Sequence, residues 1–154
     1  MNINSKNIHK SISIRTSKDQ LWRKWTTSDG LKSFIGVDNR IELKPGGAFE
    51  IYFSMDAPEG ERGSEGCQVL SFLPEEMLTF SWNAPPSIPE VRNQNHRTWV
   101  VVQFNKIDQN YTEITLDHLG WLNGEKWNET YVYFEKAWDI VLKALSESCV
   151  DHPN

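Results

Sequence analysis

The chain has no long hydrophobic run. Its apolar stretches are strand-sized, far below a membrane span, and the first fifteen residues hold no continuous apolar segment of signal-peptide type. A soluble, cytoplasmic protein is expected, with no membrane partner. Cysteine is scarce: Cys67 and Cys149 fall in different elements without C-x-x-C spacing, so two reduced thiols are expected rather than a metal or redox pair. The four histidines, His9, His96, His118 and His152, show no H-x-x-x-H or comparable spacing, and no metal site or obligatory cofactor is expected. Positive charge is also in deficit. With 16 basic against 21 acidic side chains and no Lys/Arg cluster, nucleic acid is an unsuitable partner. The sequons at Asn110 and Asn128 would need a secretory route that nothing else supports. No G-x-S-x-G elbow is present, and Gly46 and Gly47 lack the helix and lysine of a phosphate loop.

What the chain has is aromatic area. Seven Trp, seven Phe and four Tyr stand in a sequence whose hydrophobic fraction is only 38%. Such rings bury large surfaces with few rotors, which suits a rigid core and the wall of a ligand cavity equally. At 154 residues the sequence fits one domain spanning 1–154.

The periodicities give an order of elements. "IHKSISI" alternates as a half-buried strand, and "SKDQLWRKW" has capping-box spacing from Ser17 to Gln20 with Leu21, Trp22 and Trp25 on one helical face. Ser28 or Asp29 is expected to start a second short helix carrying Leu31 and Phe34. Pro45, Gly46 and Gly47 mark a hairpin, after which Phe49, Ile51 and Phe53 share a face while Arg40, Glu50 and Tyr52 point away. Leu78, Phe80 and Trp82 share a face of the next pair. A long loop, "NAPPSIPEVRNQNH", follows. The last hairpin presents Val100, Val102 and Phe104 on one strand and Ile114, Leu116 and His118 on the other. From about Asn123 the period becomes helical for roughly 25 residues, with Trp127, Tyr131, Phe134, Trp138, Val141 and Leu145 as a stripe. The fold class is therefore α+β. A twisted antiparallel sheet of six to seven strands curls, and the long helix laid across its concave face leaves a space between them.

These segments, "ISIRTSKDQLWRKWTTSDGLKSF", "LKPGGAFEI", "FLPEEMLTFSW", "TEITLDHLGW" and "FEKAWDIVLKAL", taken in order over residues 8 to 148, resemble the signatures of the SRPBCC (START-like, Bet v-like) superfamily. Within it the chain is similar to the group of the C-terminal domain of the activator of heat shock protein 90 ATPase. The resemblance implies a helix-grip fold, a curved sheet wrapped around the long C-terminal helix. It also implies a hydrophobic cavity for a small molecule, or a chaperone as protein partner, or, for a minority of relatives, cyclase or dehydratase chemistry. The resemblance further implies an additional N-terminal domain in chaperone-activating relatives, which at this length is not expected here. The sequence departs from the common pattern in having Phe34 where Trp is frequent and Trp121 after His-x-Gly.

The expected site is a ligand cavity lined by Trp25, Phe34, Phe49, Ile51, Phe53, Phe80, Trp82, Val100, Val102, His118, Trp127, Tyr131 and Phe134, with Trp138 and Leu142 as packing residues. Arg62, Glu65 and Arg92 are candidates for its rim, or else solvated loop residues. Strand alternation sends Asp117 and His118 to opposite faces, which argues against a dyad. His118 remains open between a ligand contact, an acid–base group working with Tyr131 or Glu129, and a polar residue closing a strand.

Overall fold

The computed structural model describes residues 2–149, so His152 lies outside the described residues. The elements run β1 (Ile8–Ile14), α1 (Lys18–Thr26), α2 (Ser28–Ile35), β2 (Asn39–Ile41), β3 (Phe49–Ile51), β4 (Val69–Leu73), β5 (Met77–Trp82), α3 (Pro89–Arg92), β6 (Thr98–Asp108), β7 (Tyr111–Leu119) and α4 (Glu125–Ser148). Five strands form an antiparallel sheet in the order β1-β7-β6-β5-β4, and β2 pairs with β3. The two sheets join where Ala48 bridges Gln68, with Phe49 N–H on Cys67 O and Val69 N–H on Gly47 O, both at 2.8 Å. Seven strands are present, but the curved sheet itself has five, with the β2–β3 pair attached at its β4 edge through this bridge. Helix α4 lies across its concave face, giving the helix-grip fold.

Local chemistry sets the helix ends. Ser17 caps α1 by accepting from Gln20 N–H at 3.2 Å, but the Gln20 side chain bonds Thr16 rather than the cap backbone, so the capping box is half formed. The cap of α2 is Thr27, not Ser28 or Asp29; its hydroxyl accepts from Gly30 N–H at 3.0 Å while its own N–H closes α1. One residue thus ends one helix and begins the next. The long loop after β5 contains the short helix α3, whose Pro89 has the preset φ of a first helical position.

The inward faces follow the strand alternation. Leu78, Phe80, Val100, Val102, Ile114, Leu116 and His118 are all fully buried. On α4 the buried seam is Trp127, Thr130, Phe134, Trp138, Leu142 and Leu145, with Tyr131 and Val141 half-buried beside it. Trp22 meets Phe104 edge to face at 5.4 Å, seating α1 on β6.

Between β7 and α4 the chain turns at Gly120, with φ +91°, a left-handed conformation that glycine adopts without strain. A Cβ there would also stand 2.5 Å from the Trp99 ring. Trp121 follows, 1% exposed, and donates its indole N–H to His118 O at 2.7 Å, tying the turn to the strand it leaves.

Candidate ligand cavity

A hollow of about 190 Å³ remains between α4 and the sheet. Trp25 of α1 and Ile35 of α2 close one side, Phe49, Ile51, Phe80 and Trp82 supply the sheet wall, and Phe134, Ala137, Trp138 and Val141 of α4 cover it. It reaches solvent past Phe53, Tyr133 and Ile140, which are 50%, 46% and 70% exposed. Phe49 stacks on Phe80 at 4.0 Å, and Phe80 meets Trp82 edge to face at 5.5 Å, so the wall is a rigid aromatic set. A second, more polar hollow of about 320 Å³ shares Phe53, Trp82, Tyr133 and Phe134 with the first. Loop residues Arg62, Pro85, Pro86 and Arg92 line it, forming a vestibule.

The cations of the vestibule are committed to the protein itself. Arg92, its side chain 9% exposed, donates to Ala84 O and Gly60 O, each at 2.7 Å, and pairs with Glu65 at 3.4 Å, fastening the loops on either side of the opening. Arg62 Nε donates to Ala57 O at 3.0 Å. Burial pushes the Glu65 carboxyl upward in pKa, but the N–H groups of Arg62, Gly63 and Gly60 outweigh that and hold it below the ordinary value. Tyr52 and Glu50, read as outward, pair with each other at 2.6 Å on the far side of β3.

Of the residues expected to line a cavity, Trp25, Phe49, Ile51, Phe53, Phe80, Trp82 and Phe134 converge on the apolar hollow. Phe34 lies behind Trp25, ring to ring at 5.3 Å, and supports it. Val100 and Val102 are buried one strand further along, opposite Phe80 and Leu78. Trp127 packs near His96 at 5.7 Å, beside a hollow of about 10 Å³ that has room for about one water. Tyr131 turns toward the N-terminal segment, where its hydroxyl donates to Asn7 O at 3.4 Å and Lys6 sits 5.2 Å above its ring.

His118 is fully buried and both its ring nitrogens are occupied. The Trp138 indole can only donate, so Nδ1, at 2.9 Å, accepts. The proton of the neutral ring therefore sits on Nε2 and is given to Thr98 Oγ1 at 2.7 Å, whose hydroxyl passes to Trp82 O at 3.3 Å. Burial drives the His118 pKa down to about 3, which keeps the ring neutral. The Tyr131 hydroxyl and Glu129, which pairs with Lys126 at 3.0 Å, point elsewhere, so the three residues of the acid–base reading are not brought together. The histidine links β6, β7 and α4 instead. Asp117 faces outward, 2.7 Å from His9 Nδ1, as strand alternation requires. No group of three or more His, Cys, Asp or Glu able to hold a metal exists among the described residues.

Tyr133, Ala137 and Ile140 are lining residues the sequence reading passed over, and Trp138, read as packing, lines the hollow as well. The signal was present: positions 133, 137 and 140 repeat at helical spacing one step round from the main stripe.

No helix among the described residues is long and apolar enough to cross a membrane. Comparison with known proteins places this geometry among relatives. The family described as Activator of Hsp90 ATPase homolog 1-like protein matches residues 15–149. No curated protein matches the sequence. Among solved structures, protein MLL2253 from Mesorhizobium loti superposes with a TM-score of 0.74 at 17% identity, covering 96% of this chain and 100% of that one. PFC0360w from Plasmodium falciparum, described as an HSP90 activator, gives 0.68 at 17% identity over 89% and 91% of the two chains. The Aha1 dimer from Colwellia psychrerythraea gives 0.63 at 18%, covering 94% and 96%. At these identities the structural likeness concerns the fold.

Proposed function

The chain belongs to the Activator of Hsp90 ATPase homolog 1-like family, and on that footing we propose that it binds a small apolar or aromatic molecule between α4 and the sheet. The observation that carries this reading is the hollow of about 190 Å³ walled by Trp25, Phe49, Phe80 and Trp82. The space is a solvent-connected apolar cleft rather than a sealed void, and a concave, mostly apolar lining is what small-molecule sites share. An apolar cavity of about 150 Å³ engineered in another protein stays dry and takes up benzene, which sets the scale of the occupant at one or two rings. The exposed apolar lip of Phe53, Tyr133 and Ile140 gives such a molecule a path inward.

The test is a filled cavity. Ala137→Phe places a ring in the hollow from the helix side. Calorimetric titration with a panel of naphthalene derivatives should show binding to the unaltered chain and its loss in Ala137→Phe, with the melting temperature kept or raised. Absence of binding across the panel, or binding indifferent to Ala137→Phe, would overturn the reading.

Family membership also supports a second reading, a module that touches a chaperone, since the Plasmodium falciparum relative is described as an HSP90 activator. Stimulation of the chaperone's ATPase by the purified chain is its test, and unchanged turnover with no detectable association sinks it.

A further inference from the structure

The apolar hollow under α4 does not stand alone. The vestibule beside it, about 320 Å³, shares Phe53, Trp82, Tyr133 and Phe134 with it, and all four are aromatic. Phe53 and Tyr133 are 50% and 46% exposed, so the two spaces meet at a lip open to solvent. A molecule seated in the hollow with one end at that lip has the vestibule as the nearest place for the rest of it.

The two spaces differ in chemistry. The lining of the hollow is uncharged and almost wholly apolar, and it takes an apolar body of one or two rings. The vestibule instead presents Ser54, Glu61, Arg62 and Asn83. The hydroxyls of Ser54 and Tyr133 have no hydrogen-bond partner among the described residues, and Asn83 gives an amide N–H to Gly63 O at 3.2 Å while its own carbonyl oxygen stays unused. Donors and acceptors are thus both on offer at the vestibule wall.

Its charges, by contrast, cancel. Arg62 and Arg92 are opposed by Glu61 and by Glu65, which pairs with Arg92 at 3.4 Å and accepts from the Arg62 backbone N–H at 3.2 Å. A ligand carboxylate would meet acids beside the arginines, and a ligand ammonium would meet arginines beside the acids, so neither sign gains net attraction. The group that fits is polar and uncharged.

Resting on the cavity reading above, we propose that the ligand is an uncharged amphiphile, with an aromatic body in the hollow and a short arm that carries a hydroxyl or carboxamide into the vestibule. The hollow sets the size of the hydrocarbon part, and the vestibule selects what hangs from it.

The experiment compares four compounds that share one aromatic body: 2-propylnaphthalene, 3-(2-naphthyl)propan-1-ol, 3-(2-naphthyl)propanoate and 3-(2-naphthyl)propylammonium. Calorimetry on the unaltered chain should rank the alcohol first, about threefold to tenfold tighter than the propyl compound, the scale of one net hydrogen bond. Both ions should bind more weakly than the alcohol. With the chain ¹³C-labelled, the arm protons of the alcohol should give NOEs to the Ala57 methyl group and the Pro86 ring, which line the vestibule, while its ring protons give NOEs to the Ala137 methyl group in the hollow. A propyl compound that binds as tightly as the alcohol, an ion that binds more tightly, or an arm without NOEs to Ala57 and Pro86 would overturn the assignment and leave the cavity reading intact. Failure of all four compounds to bind would overturn both.

Discussion

Mild acid should destabilise this protein through His118. The ring is fully buried, accepts from Trp138 and donates to Thr98, and burial holds its pKa near 3 against an ordinary value of 6.5. Between those two values the unfolded chain carries a proton on this residue that the folded chain does not. Stability therefore falls as pH falls through the window, by up to about 1.4 kcal/mol per pH unit. Integrated from pH 7.5 to pH 5, the loss is about 2 kcal/mol, a substantial part of a typical domain's 5–15 kcal/mol. Glu65 adds to the acid sensitivity only lower down: its carboxyl is held below its ordinary 4.5, so its contribution is present above that value and lost beneath it. The upper half of the window thus isolates the histidine. Urea unfolding should be measured from pH 7.5 to pH 5 on the unaltered chain and on His118→Phe. The variant is less stable at every pH, because the Trp138 N–H and Thr98 lose their partner, but its dependence on pH should be flatter by about 2 kcal/mol across that range. Parallel curves for the two proteins, or a His118 ring that titrates near 6.5 by NMR in the folded state, would show that His118 does not carry the acid sensitivity.

Gly120→Ala should cost about 1–3 kcal/mol in urea unfolding, because the new residue must hold positive φ and its Cβ meets the Trp99 ring. Arg92→Ala should speed hydrogen exchange in the loop around Gly60 and Gly63 and lower stability by about 1–3 kcal/mol, as Ala84 O and Gly60 O lose a donor and Glu65 its ion pair. With a thiol reagent such as DTNB, Cys149 should react in the native state, whereas Cys67, fully buried and with its thiol pushed up to about 12, should react only on unfolding. Two thiols modified at the same rate would contradict the described packing.

The fold was legible because its signals are periodic. Alternation in β5, β6 and β7 put Leu78, Phe80, Val100, Val102, Ile114 and Leu116 on the inner face, where they are buried. The stripe of α4 was read one position off at Tyr131, where the small Thr130 is the residue in the seam. Helical spacing cannot separate neighbouring positions when both flank a broad apolar face. The lining of the candidate hollow was legible on the sheet side and less so on the helix side. Trp127 and Tyr131 were expected to line the hollow from the helix start, yet it lies over the middle of α4, at Tyr133 to Val141. Where along a helix a curved sheet stands away from it depends on strand curvature and on the entry of α1 and α2, which no local pattern encodes. His118 shows the same limit. Its face was readable, but the partners Thr98 and Trp138 come from two other elements.

Intermolecular NOEs would report uptake of a small molecule by the hollow under α4 without any intermediate step. With the chain ¹³C-labelled and a naphthalene derivative unlabelled, NOEs are expected from ligand ring protons to the Ala137 and Val141 methyl groups, which line the hollow. Saturating ligand with no NOE to either residue, or NOEs confined to the outer face of the sheet, would contradict it.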